Sequence, residues 1–227
     1  MPLLIAIEGL DGSGKETQSK MLVRRLADEG YAVDAMSFPD YDSEGSAPVR
    51  LYLSGALGEK PDDVNAYGAS ILFAADRLVS WKSKFERRFA DLDVVIANRY
   101  TTANAYHQLA KLPREKWDGF LDWLYGLEFD LVGLPRPDAV ICLLNPPERA
   151  IELIERRSAE TGAKKDIHET DAGYLRRCYD AAKYAGERLG WTLLPCVDDR
   201  GELITREAMN DRIMAAVAPL LGAKAPQ

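Results

Sequence analysis

The sequence predicts an α/β fold in three layers, a five-stranded parallel sheet with helices on both faces. Three observations lead there. Five short aliphatic runs alternate with segments of helical periodicity. The runs are near-continuously apolar rather than alternating, as in strands buried on both faces. A glycine-rich turn ending in lysine joins the first run to the first helical segment, an arrangement of doubly wound sheets.

In chain order, Leu3 to Ile7 is the first strand, and Glu8 closes its apolar run. That run is too short for a signal peptide or a membrane span and has no basic residue before it, so a cytoplasmic protein is expected. Lys15 to Glu29 reads as a helix with Met21, Leu22 and Leu26 on its apolar face and Gly30 as C-terminal cap. Ala32 to Phe38 is the second strand; residues 39–60, rich in Gly, Ser and Asp, have no clear period. Pro61 and two aspartates then open a helix with the stripe Val64, Tyr67, Ile71, Ala75 and Leu78, which suits either a core or a subunit interface. Val94 to Ala97 is the third strand. Trp117, Phe120, Leu121 and Leu124 mark a helix before the fourth, Ala139 to Leu144. Residues 158–170, rich in Lys, Glu and His, form a second aperiodic stretch, and such stretches are usually functional. Tyr174, Leu175, Cys178, Tyr179 and Ala182 give the helix before the fifth strand, Thr192 to Cys196.

At 227 residues, without repeats or a Pro/Gly/Ser-rich linker, the chain reads as one domain, 1–227. Its 29 basic and 36 acidic side chains give a net charge of −7, which opposes binding to a nucleic-acid polymer but says nothing against an anionic small molecule in a local pocket. Cys142, Cys178 and Cys196 are odd in number and lack metal-ligand spacing, so they read as reduced, buried thiols.

Gly9-Leu10-Asp11-Gly12-Ser13-Gly14-Lys15 carries the most specific chemistry. Glycines let backbone N–H groups turn inward, the helix N-terminus adds a positive field, and the lysine reaches β- and γ-phosphates. The residue after the lysine, usually a Ser or Thr at the metal, is Glu16, with Thr17 one place late. Glu16 is either a magnesium ligand or an exposed first-turn acid favoured by the helix dipole. At the end of the third strand, where an acid commonly attends the metal, stands Asn98.

The segments IEGLDGSGKETQ (7–18), SFPD (37–40), ILFAADR (71–77), NRYTTANAYHQ (98–108), PRPDAVICLLNPPE (135–148) and ERRSAETGAKKD (155–166), in this order and spacing, make the chain resemble the thymidylate kinases over nearly its whole length. The resemblance implies a P-loop nucleoside monophosphate kinase fold, transfer of a phosphoryl group from ATP with Mg2+ to dTMP, and a homodimer. It places ATP at Gly9, Gly12, Ser13, Gly14, Lys15, Glu16 and Thr17. The acceptor falls to Asp11, Phe38, Pro39, Arg50, Phe73, Arg77, Arg99, Asn104, His107 and Gln108. Phe73 would stack on thymine, Arg77 and Asn104 would read its edge, and Arg99 would hold the acceptor phosphate.

Catalysis would rest on Lys15, Asp11, Arg99 and Arg157, with a lid at about 156–170 carrying Arg156, Arg157, Lys164 and Lys165. Members with a glycine at the position of Gly12 tend to draw the catalytic arginine from the lid; the resemblance puts Asp11 at the acceptor 3′-hydroxyl and near the metal, and Glu16 stays open as a second metal contact. Two departures bear on the acceptor. His107 replaces a tyrosine that crowds a ribose 2′-hydroxyl, which weakens the expectation of strict deoxyribose preference. Tyr41 replaces a phosphate-binding arginine, for which Arg50 is a substitute. Another monophosphate kinase and a non-catalytic P-loop switch are the alternatives; the guanine-reading NKxD element of a GTPase is absent.

Overall fold

A computed structural model describes residues 1–162 and 164–222; residue 163, within the expected lid, and residues 223–227 lie outside the described residues. The centre of the sheet is β1 (Leu3–Gly9), every residue of which is buried. With β2 (Val33–Ser37), β3 (Val94–Asn98), β4 (Ala139–Leu144) and β5 (Thr192–Pro195) it forms one sheet in the order β2-β3-β1-β4-β5. Every pairing is parallel, with Ile5 opposite both Ile96 and Ala139. The order reverses at β1, so the crevice for ligands opens beyond its carboxyl end, between β3 and β4.

Side-chain alternation along β1 divides the core in two. Leu3, Ile5 and Ile7 face α1 (Lys15–Asp28) and α9 (Arg206–Leu221), packing against Leu22, Leu26, Ile213 and Val217. Leu4 and Ala6 face α5 (Thr102–His107), α6 (Trp117–Tyr125) and α8 (Ala172–Leu189), with Tyr106, Phe120, Leu121 and Cys178. The cap expected at Gly30 is present: Gly30, at φ 94°, donates to Ala27 O, and Tyr31 donates to Leu26 O, which closes the carbonyls left open at the end of α1. All three cysteines are free and buried.

Three expectations are corrected. β1 runs on through Glu8, a fully buried carboxylate in an apolar strand. Residues 39–60 contain a helix, α2 (Ala47–Leu53), whose Val49, Tyr52 and Leu53 join Ala69 and Ile167 in a third small core; at seven residues it is too short to register as a period. α7 (Pro147–Thr161) extends into the second aperiodic stretch, carrying Arg156 and Arg157 on a helix rather than in a loop. Only Pro147, Ala150 and Ile154 of α7 are buried, so its last two turns lie on the surface, where no apolar period is needed.

α3 (Ala66–Ser80) has its apolar stripe outward: Tyr67, Ile71 and Ala75 are exposed, while Ala66, Ala69, Ser70, Ala74 and Arg77 face inward. The inward face is small and polar because it borders the crevice. α4 (Glu86–Phe89) continues α3 after a π-helical turn at Trp81–Phe85.

Candidate active site

A cleft of about 920 Å³ opens at the carboxyl end of β1, the size of a site for one or two small ligands. Its floor is the loop from Leu10 to Gly14, which leads into α1. Gly9 (φ 147°) admits no side chain, since a Cβ there would come within 2.7 Å of Leu143 O; at Gly12 (φ 78°) it would meet Ala150 O at the same distance. The loop therefore lies close against β4 and α7, with its amides at the N-terminus of α1.

One carboxylate oxygen joins the two sides of the cleft. Asp11 Oδ1 accepts from Lys15 Nζ at 3.1 Å and from Arg99 Nη2 at 2.6 Å. Burial alone would raise the Asp11 carboxyl, but the charges of Arg99 and Lys15 overcome it and hold the carboxyl well below its usual range. Lys15, buried and beside Arg99, is pushed down.

Arg99 directly follows β3 and is the one non-glycine residue with positive φ (62°) among the described residues. It is anchored on three sides: by Asp11, by Tyr106 OH at 3.3 Å, and by His107 Nε2 at 3.0 Å. A guanidinium can only donate, so His107 Nε2 is an acceptor and the imidazole is neutral, with its proton on Nδ1 toward Tyr174 OH and Cys178 Sγ. Burial and the Arg99 charge hold the His107 pKa well below its usual value. His107 is therefore a buried group that orients Arg99.

Behind these groups lies a buried network the sequence reading missed. Glu8 accepts from Thr102 Oγ1 (2.5 Å) and the Tyr100 amide (2.9 Å) through Oε1, and from Tyr106 OH (3.1 Å) through Oε2. Burial pushes its carboxyl up. The available signal was an acid inside an otherwise apolar strand run.

Phe73, Arg77, Asn104, His107 and Gln108 all border the cleft, as do Phe38, Pro39 and Tyr41. Phe73 stands edge-on to Tyr52, with ring centroids 6.1 Å apart. Arg77 is buried in a two-pronged ion pair with Glu128, a residue with no sequence signal. Gln108 is fully buried, and neither polar atom of its amide has a partner. Ser13 Oγ, Asn98 Oδ1 and Asn145 Oδ1 are likewise buried and unpartnered on the cleft wall.

Arg50 is not brought to the cleft. It is exposed and its Nη1 donates to Tyr41 O, Ser43 O and Ser46 Oγ, bracing the 41–46 loop, so it does not replace the missing phosphate-binding arginine. The Glu16 side chain is 67% exposed and paired with Lys20 at 2.6 Å, the placement of a first-turn acid rather than a buried ligand. Arg156, Arg157 and Lys164 border the cleft; Lys165 pairs outside it with Glu155 at 3.7 Å. Arg157 is held by Glu169 at 2.6 Å, and the stretch after α7 is tied down by Ile167 N to Leu53 O (3.2 Å) and by His168 Nε2 against Tyr52 OH (2.9 Å). No cluster of three or more His, Cys, Asp or Glu side chains suited to a metal occurs among the described residues.

A profile of the thymidylate kinase family matches residues 7–189. The thymidylate kinase of Mycobacterium tuberculosis is 32% identical over 214 residues, covering 92% of this chain and 99% of that protein. The human thymidylate kinase is 30% identical over 142 residues, 62% of this chain and 59% of its own. Among solved structures, the thymidylate kinase of Candida albicans superposes with a TM-score of 0.67 over 96% of this chain and 92% of that one, at 20% identity, a likeness of fold.

Proposed function

The chain belongs to the thymidylate kinase family, and on that premise we propose how its cleft transfers the γ-phosphoryl group of ATP to dTMP, giving ADP and dTDP. The observation that carries the reading is the bridge at Asp11 Oδ1, which sets a donor-side lysine and an acceptor-side arginine within reach of one oxygen. Phosphoryl transfer is mostly positioning and charge stabilisation, and it needs two anion sites facing each other.

The amides of Gly12, Ser13 and Gly14, with Lys15, Glu16 and Thr17 at the start of α1, receive the ATP phosphates. dTMP enters from the other side, its base on Phe73 with Arg77 and Asn104 at the edge, and Phe38 and Pro39 as a wall. Its phosphate meets Arg99 and Tyr41, and the unpartnered Gln108 amide gains a ligand partner. Phosphate oxygens replace Asp11 as partners of Lys15 and Arg99, and the carboxylate turns to the sugar 3′-hydroxyl. An oxygen of the dTMP phosphate then attacks the γ-phosphorus in line, and the bond to the β–γ bridging oxygen breaks with no covalent enzyme intermediate.

Residues 156–170 act as the lid within one kinase domain. Arg157 exchanges Glu169 for the transferring group, with Arg156 and Lys164 beside it, and closure excludes water. Magnesium suits the oxygens offered here, the Asp11 carboxylate with the unpartnered Asn98 Oδ1 and Ser13 Oγ, while Glu16 stays with Lys20. When bound it neutralises charge on the β- and γ-oxygens. Two copies pair through the outward stripe of α3. The chain works in the cytoplasm; no described helix is long and apolar enough to cross a membrane.

Steady-state ADP release by the purified protein with ATP and magnesium, offered dTMP, dUMP, UMP, dCMP and dGMP in turn, tests this reading. Turnover highest with dTMP is expected. Absence of dTMP turnover, or preference for any acceptor other than dTMP or dUMP, overturns it.

A further inference from the structure

Glu128 lies outside every motif of the sequence, on a π-helical turn (Gly126–Leu131) that prolongs α6. Such local widening of a helix often re-aims a side chain at a functional site. Here the carboxylate is fully buried beneath the base-reading residues. Arg77 Nε donates to Oε2 at 3.1 Å and Arg77 Nη2 donates to Oε1, a two-pronged pair in which the side chains are 2% and 0% exposed. Asn104 Nδ2 donates to the same Oε1 and to Ser70 O, both at 3.3 Å.

We propose that Glu128 is a positioning residue that sets which pyrimidine the acceptor pocket takes, by fixing the Arg77 fork and the orientation of the Asn104 amide. The proposal rests on the reading of the cleft as a pyrimidine monophosphate site. A carboxylate and a main-chain carbonyl can only accept, so the end of Asn104 that faces them must be its NH2. Oδ1 is thereby the end left for the base. The fork likewise consumes Nε and Nη2 of Arg77 and leaves Nη1 as the nitrogen Glu128 does not engage.

The pocket therefore offers one acceptor and one donor in a fixed order. Thymine and uracil answer with an N3–H donor and an O4 acceptor. Cytosine has the reverse, an N3 acceptor and an N4 amino donor, so both contacts become mismatches, and unpaired buried polar groups are what make such discrimination large. Without the carboxylate, the Asn104 amide turns either way and the order is lost.

The test compares wild type with Glu128→Gln and Glu128→Asp, measuring kcat and KM separately for dTMP, dCMP and ATP. The glutamine keeps the shape but turns one oxygen into a donor; the aspartate keeps the charge but withdraws it by one methylene. Either folded variant should raise the KM for dTMP by about tenfold or more and lower the dTMP-to-dCMP ratio of kcat/KM by at least about tenfold. The KM for ATP should stay within about twofold, a pattern that a generally loosened structure would not give, since Lys15 and the loop do not touch Glu128. Thermal melting and ATP-analogue binding identify which variant is folded. Should both fail to fold, the wild type itself decides: a fixed acceptor–donor order requires kcat/KM for dTMP to exceed that for dCMP by at least about tenfold, and equal turnover of the two overturns the proposal. A folded variant whose ratio stays within about twofold of wild type overturns the proposal. A wild type that turns over neither dTMP nor dUMP overturns the functional reading instead.

Discussion

Arg99 carries two burdens, a left-handed backbone and a desolvated charge, and its neighbours show how both are met. The positive φ of a non-glycine residue costs roughly 1–2 kcal/mol, and it is held by Arg99 N donating to Ile7 O at 3.1 Å. The guanidinium is then fixed by Asp11, His107 and Tyr106. Tyr106 is the group that ties this arginine to Glu8: its hydroxyl accepts from Arg99 Nη1 and the Gly9 amide (3.4 Å), and its proton serves Glu8 Oε2 or Gly9 O. Tyr106→Phe strips Glu8 Oε2 of this donor and Arg99 of one anchor. It should lower stability by about 1–3 kcal/mol, read from the denaturant midpoint, and lower kcat with dTMP by about tenfold; wild-type values for both would refute this account of Tyr106. Asp11, Lys15 and Arg99 were legible in the sequence because the glycine pattern and the strand end place them. Glu8, Tyr106 and Glu128 were not, since their roles come from contacts between residues 24 to 98 positions apart. Arg50 was misread for the same reason: proximity in sequence to the acceptor loop does not decide which way a long side chain turns.

At the scale of elements, the central strands β1, β3 and β4 were the easiest to read, because burial on both faces leaves little room for polar residues. Helices were read well where one face carries an apolar stripe, and badly where solvent replaces packing, as at the end of α7. The segment after α7 has its own chemistry. His168 is pushed down to about 3 by burial and by Lys111, while Asp166 is pushed up to about 7 by burial and by Asp11. The two act oppositely on stability. Between about pH 6.5 and 3 the unfolded chain protonates His168 and the folded chain does not, so acidification removes stability at up to ~1.4 kcal/mol per pH unit. Between about pH 7 and 4 the folded chain holds a proton on Asp166 that the unfolded chain releases, so acidification adds stability at a similar slope. His107, also held neutral, falls on the destabilising side, and the raised Glu8 and Asp76 on the stabilising side. His168→Gln should therefore flatten the loss of stability from pH 6 to pH 4, and Asp166→Asn should steepen it, in chemical denaturation followed at several pH values. Slopes unchanged in both variants would show that neither group titrates as its surroundings demand.

At the scale of the whole molecule, a net charge of −7 coexists with a cleft bordered by Lys15, Arg77, Arg99, Arg156, Arg157 and Lys164. Positive charge is gathered along the cleft although the chain as a whole is acidic. An apolar stripe also stays exposed on one helix. On α3, Tyr67 and Ile71 point outward, with Ile71 53% exposed, and Tyr67 leans on Phe120 and Trp123 of α6, its ring centroid 4.7 Å from that of Trp123. Exposed aliphatic and aromatic groups at i and i+4 on one helix, continuous with a second helix, suit a two-fold contact in which each α3 meets its own copy. Ile71 is more than half exposed and belongs to none of the buried clusters, so a monomeric protein would tolerate Ile71→Glu within about 0.5 kcal/mol and keep its mass. In a dimer it sets two carboxylates against each other across the axis. Wild type should sediment at twice the chain mass and Ile71→Glu at the chain mass, with α3 less firmly held and a raised KM for dTMP, because Phe73 and Arg77 sit on the inner side of the same helix. Sedimentation velocity over a range of concentrations decides it: a wild type that remains a monomer throughout would mean that the stripe serves no pairing of copies.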